Sequence, residues 1–350
     1  GGIASYYRTI AKHLSSLVTF SFVGHDGYHN RWFTPFRLIV DYFRFVSRLI
    51  RTDPEIVHIN PSLKPFCLLR EALFFMIAKG FGKGVLVFFR GGHTSLKENS
   101  PNIVRVLFDL CYLRAEAIIV LASGFAEAIT RMGYEGPIFV ESTVVDDNIF
   151  YTTNPILLDT RSEEAADGLK ILFLSRLEKG KGVYRAIKAH QLARNRHPEL
   201  RLDIGGDGKE FDRVQDFVAR RGMAGVELLG WVSGAEKTAV FRNADIYLFP
   251  STYDEGMPNS VLEAMAHGLP VVSSKVGGLR DFFESGKMGY LVDSVEPHVL
   301  AAALSRLVEN PDLRKEMGRY NRQYARNRFA ASMVAERLKA VYTRMVEEQE

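Results

Sequence analysis

Residues 249–274 read FPSTYDEGMPNSVLEAMAHGLPVVSS, and the fold follows from how this stretch is punctuated. Apolar Ile246, Leu248 and Phe249 run into Pro250 and Ser251, as at the end of a buried strand. A loop containing Gly256 and Pro258 comes next. Val261 to Ala266 are helix formers stopped by Gly268 and Pro270, and Val271 to Ser274 opens another strand. Two carboxylates frame the loop and helix: Glu255 before the helix and Glu263 inside it. A helix that starts near Asn259 or Ser260 aims its free N–H groups and positive dipole end into the loop, a setting that suits a phosphate. Glu255 and Glu263 then flank that phosphate and accept hydrogen bonds from sugar hydroxyls, at about 1.5–3 kcal/mol per charge-assisted bond. The same residues admit a plainer reading. Ser260-x-x-Glu263 also spells a capping box, and Glu255 alone could be a solvated loop acid.

Outward from this stretch the pattern repeats. Strands are predicted at Ile171–Ser175, Leu202–Gly205, Glu227–Leu229, Ile246–Phe249, Val271–Ser274 and Tyr290–Val292, separated by helical periodicity. Such alternation argues a parallel, doubly wound sheet. From about Val299 the tail reads as almost wholly helical. Upstream, a helix through Tyr6, Ile10 and Leu14 is followed by predicted strands at Val18–Val23, Ile56–Ile59, Val85–Phe89, Ala117–Ala122 and Ile138–Val140. Tyr151 to Gly168 is polar, with Pro155 and an acidic run, and is the best linker in the chain. The expected division is an amino-terminal domain over 1–160, a second domain over 161–325 and a terminal helical segment over 326–350.

With 350 residues, 47% hydrophobic and 25% charged, the chain is too long for one typical core. A net charge of +4 is too small at this length to suggest a nucleic-acid binder. Cys67 and Cys111 stand in apolar surroundings, as buried thiols do, and neither has metal-site spacing. The most apolar stretch, Phe66 to Ala78, carries Arg70 and Glu71 and is too short to span a bilayer. A cytoplasmic chain, soluble or peripherally attached at the inner face of a membrane, is expected.

Further residues bear on chemistry. Ser175-Arg176-Leu177-Glu178-Lys179-Gly180-Lys181-Gly182 is a strand-to-helix turn with a planar guanidinium and an ammonium five residues apart. By pattern alone this reads as a basic surface loop. Gly205-Gly206-Asp207-Gly208 allows close backbone approach but lacks the third glycine of a dinucleotide fingerprint. In Arg90-Gly91-Gly92-His93 a strand end meets two glycines and a histidine, where open α/β sheets place ligands. His58, inside a strand, reads as structural. Between Arg31 and Arg51, helical projection gathers Arg37, Arg44, Arg48 and Arg51 on one face, opposite Ile39, Phe43, Val46 and Ile50. That pattern fits either a helix packed on the sheet with a solvated basic face, or a surface resting on anionic lipid.

The pair Glu255 and Glu263, seven residues between them and set in EGMPNSVLEAMAHGLPVV, resembles the signature of the retaining group 1 glycosyltransferases, a family that includes the glycogen synthases. Arg176 to Gly182 resembles the same family's Arg–Leu–x–x–x–Lys–Gly element. The resemblance implies a GT-B fold: two Rossmann-like, doubly wound parallel-sheet domains facing a cleft, the donor site in the second. It implies transfer of a sugar from a nucleotide-sugar, a UDP- or GDP-sugar by expectation, to a hydroxyl of a glycan or lipid-linked acceptor. It also implies retention of the anomeric configuration, a place in cell-surface polysaccharide or glycolipid synthesis, and no requirement for a metal. By the same resemblance Glu255 binds hydroxyls of the transferred sugar and Glu263 the ribose. Arg176 and Lys181 hold the diphosphate, and His93 turns towards the donor sugar. The loop Gly256, Met257, Pro258, Asn259 and Ser260 offers backbone N–H groups to the distal phosphate, and Gly206 and Val232 lie against the nucleotide. Gly1-Gly2 matches a double glycine that follows the family's first strand; nothing precedes it here, so that strand is expected to be missing. The terminal helix is expected to cross back to the first domain. Ser142-Thr143-Val144-Val145-Asp146 departs from the family's Asn-Gly-Val-Asp-like turn, and Asp281 stands where Glu is usual. Two other functions share this architecture: a sugar-nucleotide epimerase, and a sugar-nucleotide-binding protein without activity.

Overall fold

The computed structural model describes residues 2–14, 16–21, 34–63, 65–91, 102–152 and 168–348. It divides into two compact units, Gly1–Ser142 with Val334–Glu350, and Thr143–Met333.

Among the described residues the first unit holds a parallel sheet of β1 (Ile56–Ile59), β2 (Gly84–Phe89), β3 (Ala117–Val120) and β4 (Ile138–Val140), in that spatial order. GVLVFF and AIIV, the sequences of β2 and β3, are buried throughout, because a parallel sheet is covered on both faces and its strands read as unbroken apolar runs. Val85, Val87 and Phe89 pack with Leu68, Ala72 and Phe75 of helix Pro65–Gly80. Phe88, pointing the other way, meets Tyr6 of helix Gly2–Leu14 edge-on at 6.1 Å. His58 sits within this second layer. Its Nδ1 lies 2.8 Å from the Tyr342 hydroxyl, and its ring stacks on Phe88. Burial among these rings, with the Arg90 cation nearby, pulls the imidazole down to about 3.

Of the predicted strand at Val18–Val23, Val18 to Ser21 run as irregular chain, and the rest lies outside the described residues. Helix Thr34–Thr52 also differs from expectation. Its packed side is Tyr42, Phe45 and Leu49, with Tyr42 and Phe45 resting on Phe74 at 4.6 and 5.1 Å. Ile39, Phe43 and Ile50, which helical projection puts on a core-facing stripe, are exposed. The helix leans on its neighbouring helix rather than lying flat on the sheet, which rotates the buried stripe by roughly a quarter turn.

The second unit holds β5 (Lys170–Leu174), β6 (Arg201–Gly205), β7 (Val226–Gly230), β8 (Ile246–Phe249), β9 (Val271–Ser274) and β10 (Gly289–Val292), all parallel. Their order is β10-β9-β8-β5-β6-β7. The chain starts at β5, builds outward to β7 and returns to lay β8 beside β5. The crevice at such a reversal, at the carboxyl ends of the strands, is where open α/β sheets bind ligands.

The division falls at Ser142/Thr143, earlier than the polar stretch near residue 160. Val145 and Phe150 belong to the second unit's core, and Val145 N–H donates to the Phe329 carbonyl at 2.8 Å while Ala331 N–H returns a bond to Val145 at 3.0 Å. The helical tail is broken by Asn310-Pro311 and again at Ala330, into Pro297–Val308, Pro311–Phe329 and Ala331–Glu347. Residues from Val334 onward belong to the first unit. There Arg337 grips Glu141 with two bonds of 2.8 and 2.9 Å.

Candidate active site

Two turns meet where β5 and β8 end. Pairing of Ile171 with Ile246 and of Leu172 with Tyr247 sets the strands side by side. The turn after β5 therefore meets the loop after β8. Gly180 carbonyl accepts from the N–H groups of Thr252 and Tyr253 at 2.8 and 3.1 Å. Gly182, at φ +87°, presses on the Pro250 carbonyl, where a Cβ has no room.

This stitching delivers Lys181 to Glu255. Nζ stands 2.6 Å from Oε1, with the two side chains only 8% and 11% exposed. Ser251 Oγ donates to the same carboxylate oxygen at 3.0 Å and accepts the Tyr253 N–H at 3.1 Å. The ammonium also lies 4.4 Å from the centre of the Tyr253 ring. Among the described residues Glu255 Oε2 makes no hydrogen bond, and an ammonium has three protons. The pair thus keeps a carboxylate acceptor and ammonium donors beyond those it uses internally.

Helix Asn259–Ala266 begins directly after Pro258, with no side-chain cap. Its first amide groups have no partner in the helix, the arrangement that binds anions. Ser260 is a helical residue here rather than the cap, so the capping box is not formed. Glu263 turns instead to Lys237, whose Nζ lies 2.7 Å from Oε1 and 2.6 Å from Oε2. Beneath the helix, burial pushes the Tyr247 phenol far above its usual range, and the hydroxyl donates to the Leu174 carbonyl at 2.9 Å. Gly256 is clamped from the other side: its carbonyl accepts the Gly278 N–H at 2.8 Å, and Gly277, at φ +50°, lies against the Glu255 and Gly256 carbonyls. Met257 is half-buried against the core.

The remaining expected residues are placed as follows. Arg176 projects into solvent with Nη1 2.9 Å from Glu178, and no contact with Glu255 is seen among the described residues. Gly206 gives its N–H to the Gly230 carbonyl at 2.7 Å, and its missing side chain makes room for the Ser175 carbonyl. Its role in this structure is to close the turn. Val232 is buried beside Gly205, with Trp231 exposed next to it. Gly2 opens helix Gly2–Leu14. His93 lies outside the described residues, as do Gly1 and most of the expected linker. The described residues contain no group of three His, Cys, Asp or Glu placed to hold a metal ion. Sequence reasoning missed Ser251, Tyr253, Lys237 and Gly277. Lys237 and Gly277 act through partners distant in the chain, whereas Ser251 and Tyr253, inside the quoted stretch and close to Glu255, stood where they could have been noticed.

Comparison with known proteins bears on this geometry. Residues 158–324 match the family model described as glycosyl transferases group 1. A D-inositol 3-phosphate glycosyltransferase of Corynebacterium jeikeium is 35% identical over 178 residues, 49% of this chain and 42% of that protein. The chain spans about half the length of the curated relatives it matches. Among solved structures, sucrose-phosphate synthase of Thermosynechococcus elongatus superposes with a TM-score of 0.77 at 20% identity, covering 99% of this chain and 94% of that one. Anabaena HepE in complex with UDP superposes at 0.76 and 18% identity, covering 98% and 96%. These two likenesses are of fold, which is GT-B. Over residues 158–324, the part that holds Lys181, Glu255 and Glu263, the chain is similar to the group 1 glycosyl transferases.

Proposed function

We propose that the protein transfers a sugar from a nucleotide-sugar to a hydroxyl of a glycan or lipid-linked acceptor, with retention of configuration. The observation that carries this is the Lys181–Glu255 pair, held beside the uncapped start of helix Asn259–Ala266. In this reading the diphosphate lies between the Lys181 ammonium and the helix amides. Glu255 Oε2 accepts a hydroxyl of the sugar, and Glu263, released from or shared with Lys237, takes the ribose. Arg176, exposed and paired among the described residues with Glu178, swings onto the phosphates as the leaving group gains charge. His93, four positions after Phe89 in the sequence, is assigned to the donor sugar. Gly206 and Val232 shape the floor under the nucleotide, and the acceptor belongs to the first unit.

HepE was solved with UDP and with UDP-glucose, which supports a UDP-sugar as the first donor to try. The test is thermal melting with UDP-, GDP- and ADP-sugars, followed by detection of free nucleotide and glycosylated acceptor. A donor at about a hundred times its dissociation constant adds roughly 2.7 kcal/mol of stability. If no nucleotide-sugar shifts melting, the reading fails; nucleotide-sugar converted without a glycosylated acceptor would indicate an epimerase. Because Lys181, Arg176 and the helix start already supply positive potential at the diphosphate, we expect transfer to survive EDTA. Loss on chelation with recovery on adding a divalent ion would contradict that. Work in a cytoplasmic setting, at the inner face of a membrane, is part of the same proposal.

A further inference from the structure

Helix Pro65–Gly80 turns Leu68, Ala72 and Phe75 to the core, yet its opposite side is apolar as well. Phe66, Leu69, Leu73 and Met76 recur along that side and are exposed, Phe66 at 60%. The neighbouring helix Thr34–Thr52 adds Phe43, exposed at 72%, and Ile50 at 65%. The two helices touch through Tyr42 and Phe45 on Phe74, and the Tyr42 hydroxyl donates to the Arg70 carbonyl at 3.1 Å. Both lead into parallel strands of one sheet, so they run in the same direction with their apolar stripes side by side on the outside. Single surface hydrophobics need no explanation; two adjoining stripes do.

Charge identifies what covers them. Asp41, the one acid of helix Thr34–Thr52, faces Arg44, and Glu71 of the next helix accepts two bonds from Arg70. Arg44, Arg48 and Arg51 are exposed at the flank, Arg48 also donating to the Phe20 carbonyl at 3.2 Å, so the face is apolar in its middle and positive at its edge. The side chain of Arg37 lies outside those described. Among the described residues no helix is long and apolar enough to cross a membrane.

We propose that this face docks on an anionic lipid monolayer. Phe43, Ile50, Phe66, Leu69, Leu73 and Met76 enter the headgroup–acyl boundary, and Arg44, Arg48 and Arg51 pair with lipid phosphates. A second copy of the chain on the same face would bring like charges together, which lipid does not. The inference concerns the first unit and does not depend on the donor chemistry.

The test is sedimentation of the full chain with vesicles of phosphatidylcholine alone, and of phosphatidylcholine mixed with phosphatidylglycerol. Binding is expected to the mixed vesicles only. Leu69→Gln with Leu73→Gln should abolish it, and Phe43→Gln on the other helix should weaken it. Each of Arg44→Gln and Arg51→Gln should lower partition about fivefold. All these positions are exposed, so melting temperature and its shift by nucleotide-sugar should stay at the parent values. The proposal is overturned if the Leu69/Leu73 variant binds vesicles as the parent does. It is equally overturned if the parent ignores anionic vesicles and self-associates through this face, with the same substitutions restoring a monomer.

Discussion

With its Nζ 2.6 Å from Glu255 and both side chains nearly buried, Lys181 neutralises a carboxylate that water scarcely reaches. Truncating one partner strands the other charge, at a cost of about 3–5 kcal/mol for a buried pair. Lys181→Ala is therefore expected to lower both melting temperature and turnover, the latter by about a hundredfold or more. Adding Glu255→Gln should recover most of the stability while turnover stays low. Turnover restored along with stability would reduce Lys181 to a structural part. A second residue makes a stability claim. His58 stays neutral in the folded chain because its pKa is depressed to about 3, while in the unfolded chain it protonates near 6.5. Between those values the unfolded state binds a proton that the folded state refuses, so stability falls as pH drops from about 6.5 towards 3, by at most about 1.4 kcal/mol per pH unit. Denaturant melts at pH 7 and pH 5 should show this loss, and His58→Gln should flatten it. An unchanged slope in that variant would place the titration elsewhere.

The loop between β8 and its helix is held from both sides, by Gly180 on one and by Gly277 and Gly278 on the other. At Gly277 two costs coincide: a left-handed φ of +50° and a Cβ directed at the Glu255 and Gly256 carbonyls. Gly277→Ala should lower apparent donor affinity about tenfold by shifting the loop, beyond the roughly 1–2 kcal/mol of backbone strain. Gly286→Ala is the control, since its φ of +93° imposes strain but the space around it is open. Titration calorimetry with the donor should find the control unaffected; equal losses in both would mean that strain alone is at work. The central strands were legible because parallel strands buried on both faces read as unbroken apolar runs, as GVLVFF and AIIV show. The start of the helix was legible to within one residue, as Asn259 or Ser260, and it falls at Asn259. What could not be read was partnership. Ser260-x-x-Glu263 looks the same whether Glu263 caps its own helix or reaches Lys237, and the choice lies 26 residues away. Ile39, Phe43 and Ile50 kept their helical period, but period alone does not say which way a helix is rolled against its neighbour.

At the scale of the whole chain, two units were expected and two are found, with the passage between them earlier than the linker composition suggested. Composition marks where a chain is polar; the passage is fixed by Val145 lying beside Phe329 and Ala331, partners nearly two hundred positions downstream that no local pattern reveals. The reversal in strand order has a further consequence, for the order of events in folding. Lys181 and Glu255 are 74 positions apart and meet only because β8 returns to β5 after β6 and β7 have been laid down on the other side. Closing that long loop is among the slow, non-local steps of assembling a parallel sheet. Helices and the β5–β6–β7 half can form while the donor site does not yet exist. On refolding from denaturant, recovery of helical signal should therefore precede recovery of nucleotide-sugar binding in stopped-flow measurements. Simultaneous recovery would mean that β8 docks early. If the lag is found, a newly made chain acquires its chemistry only when its central strand pair has closed, and a half-folded chain cannot spend donor.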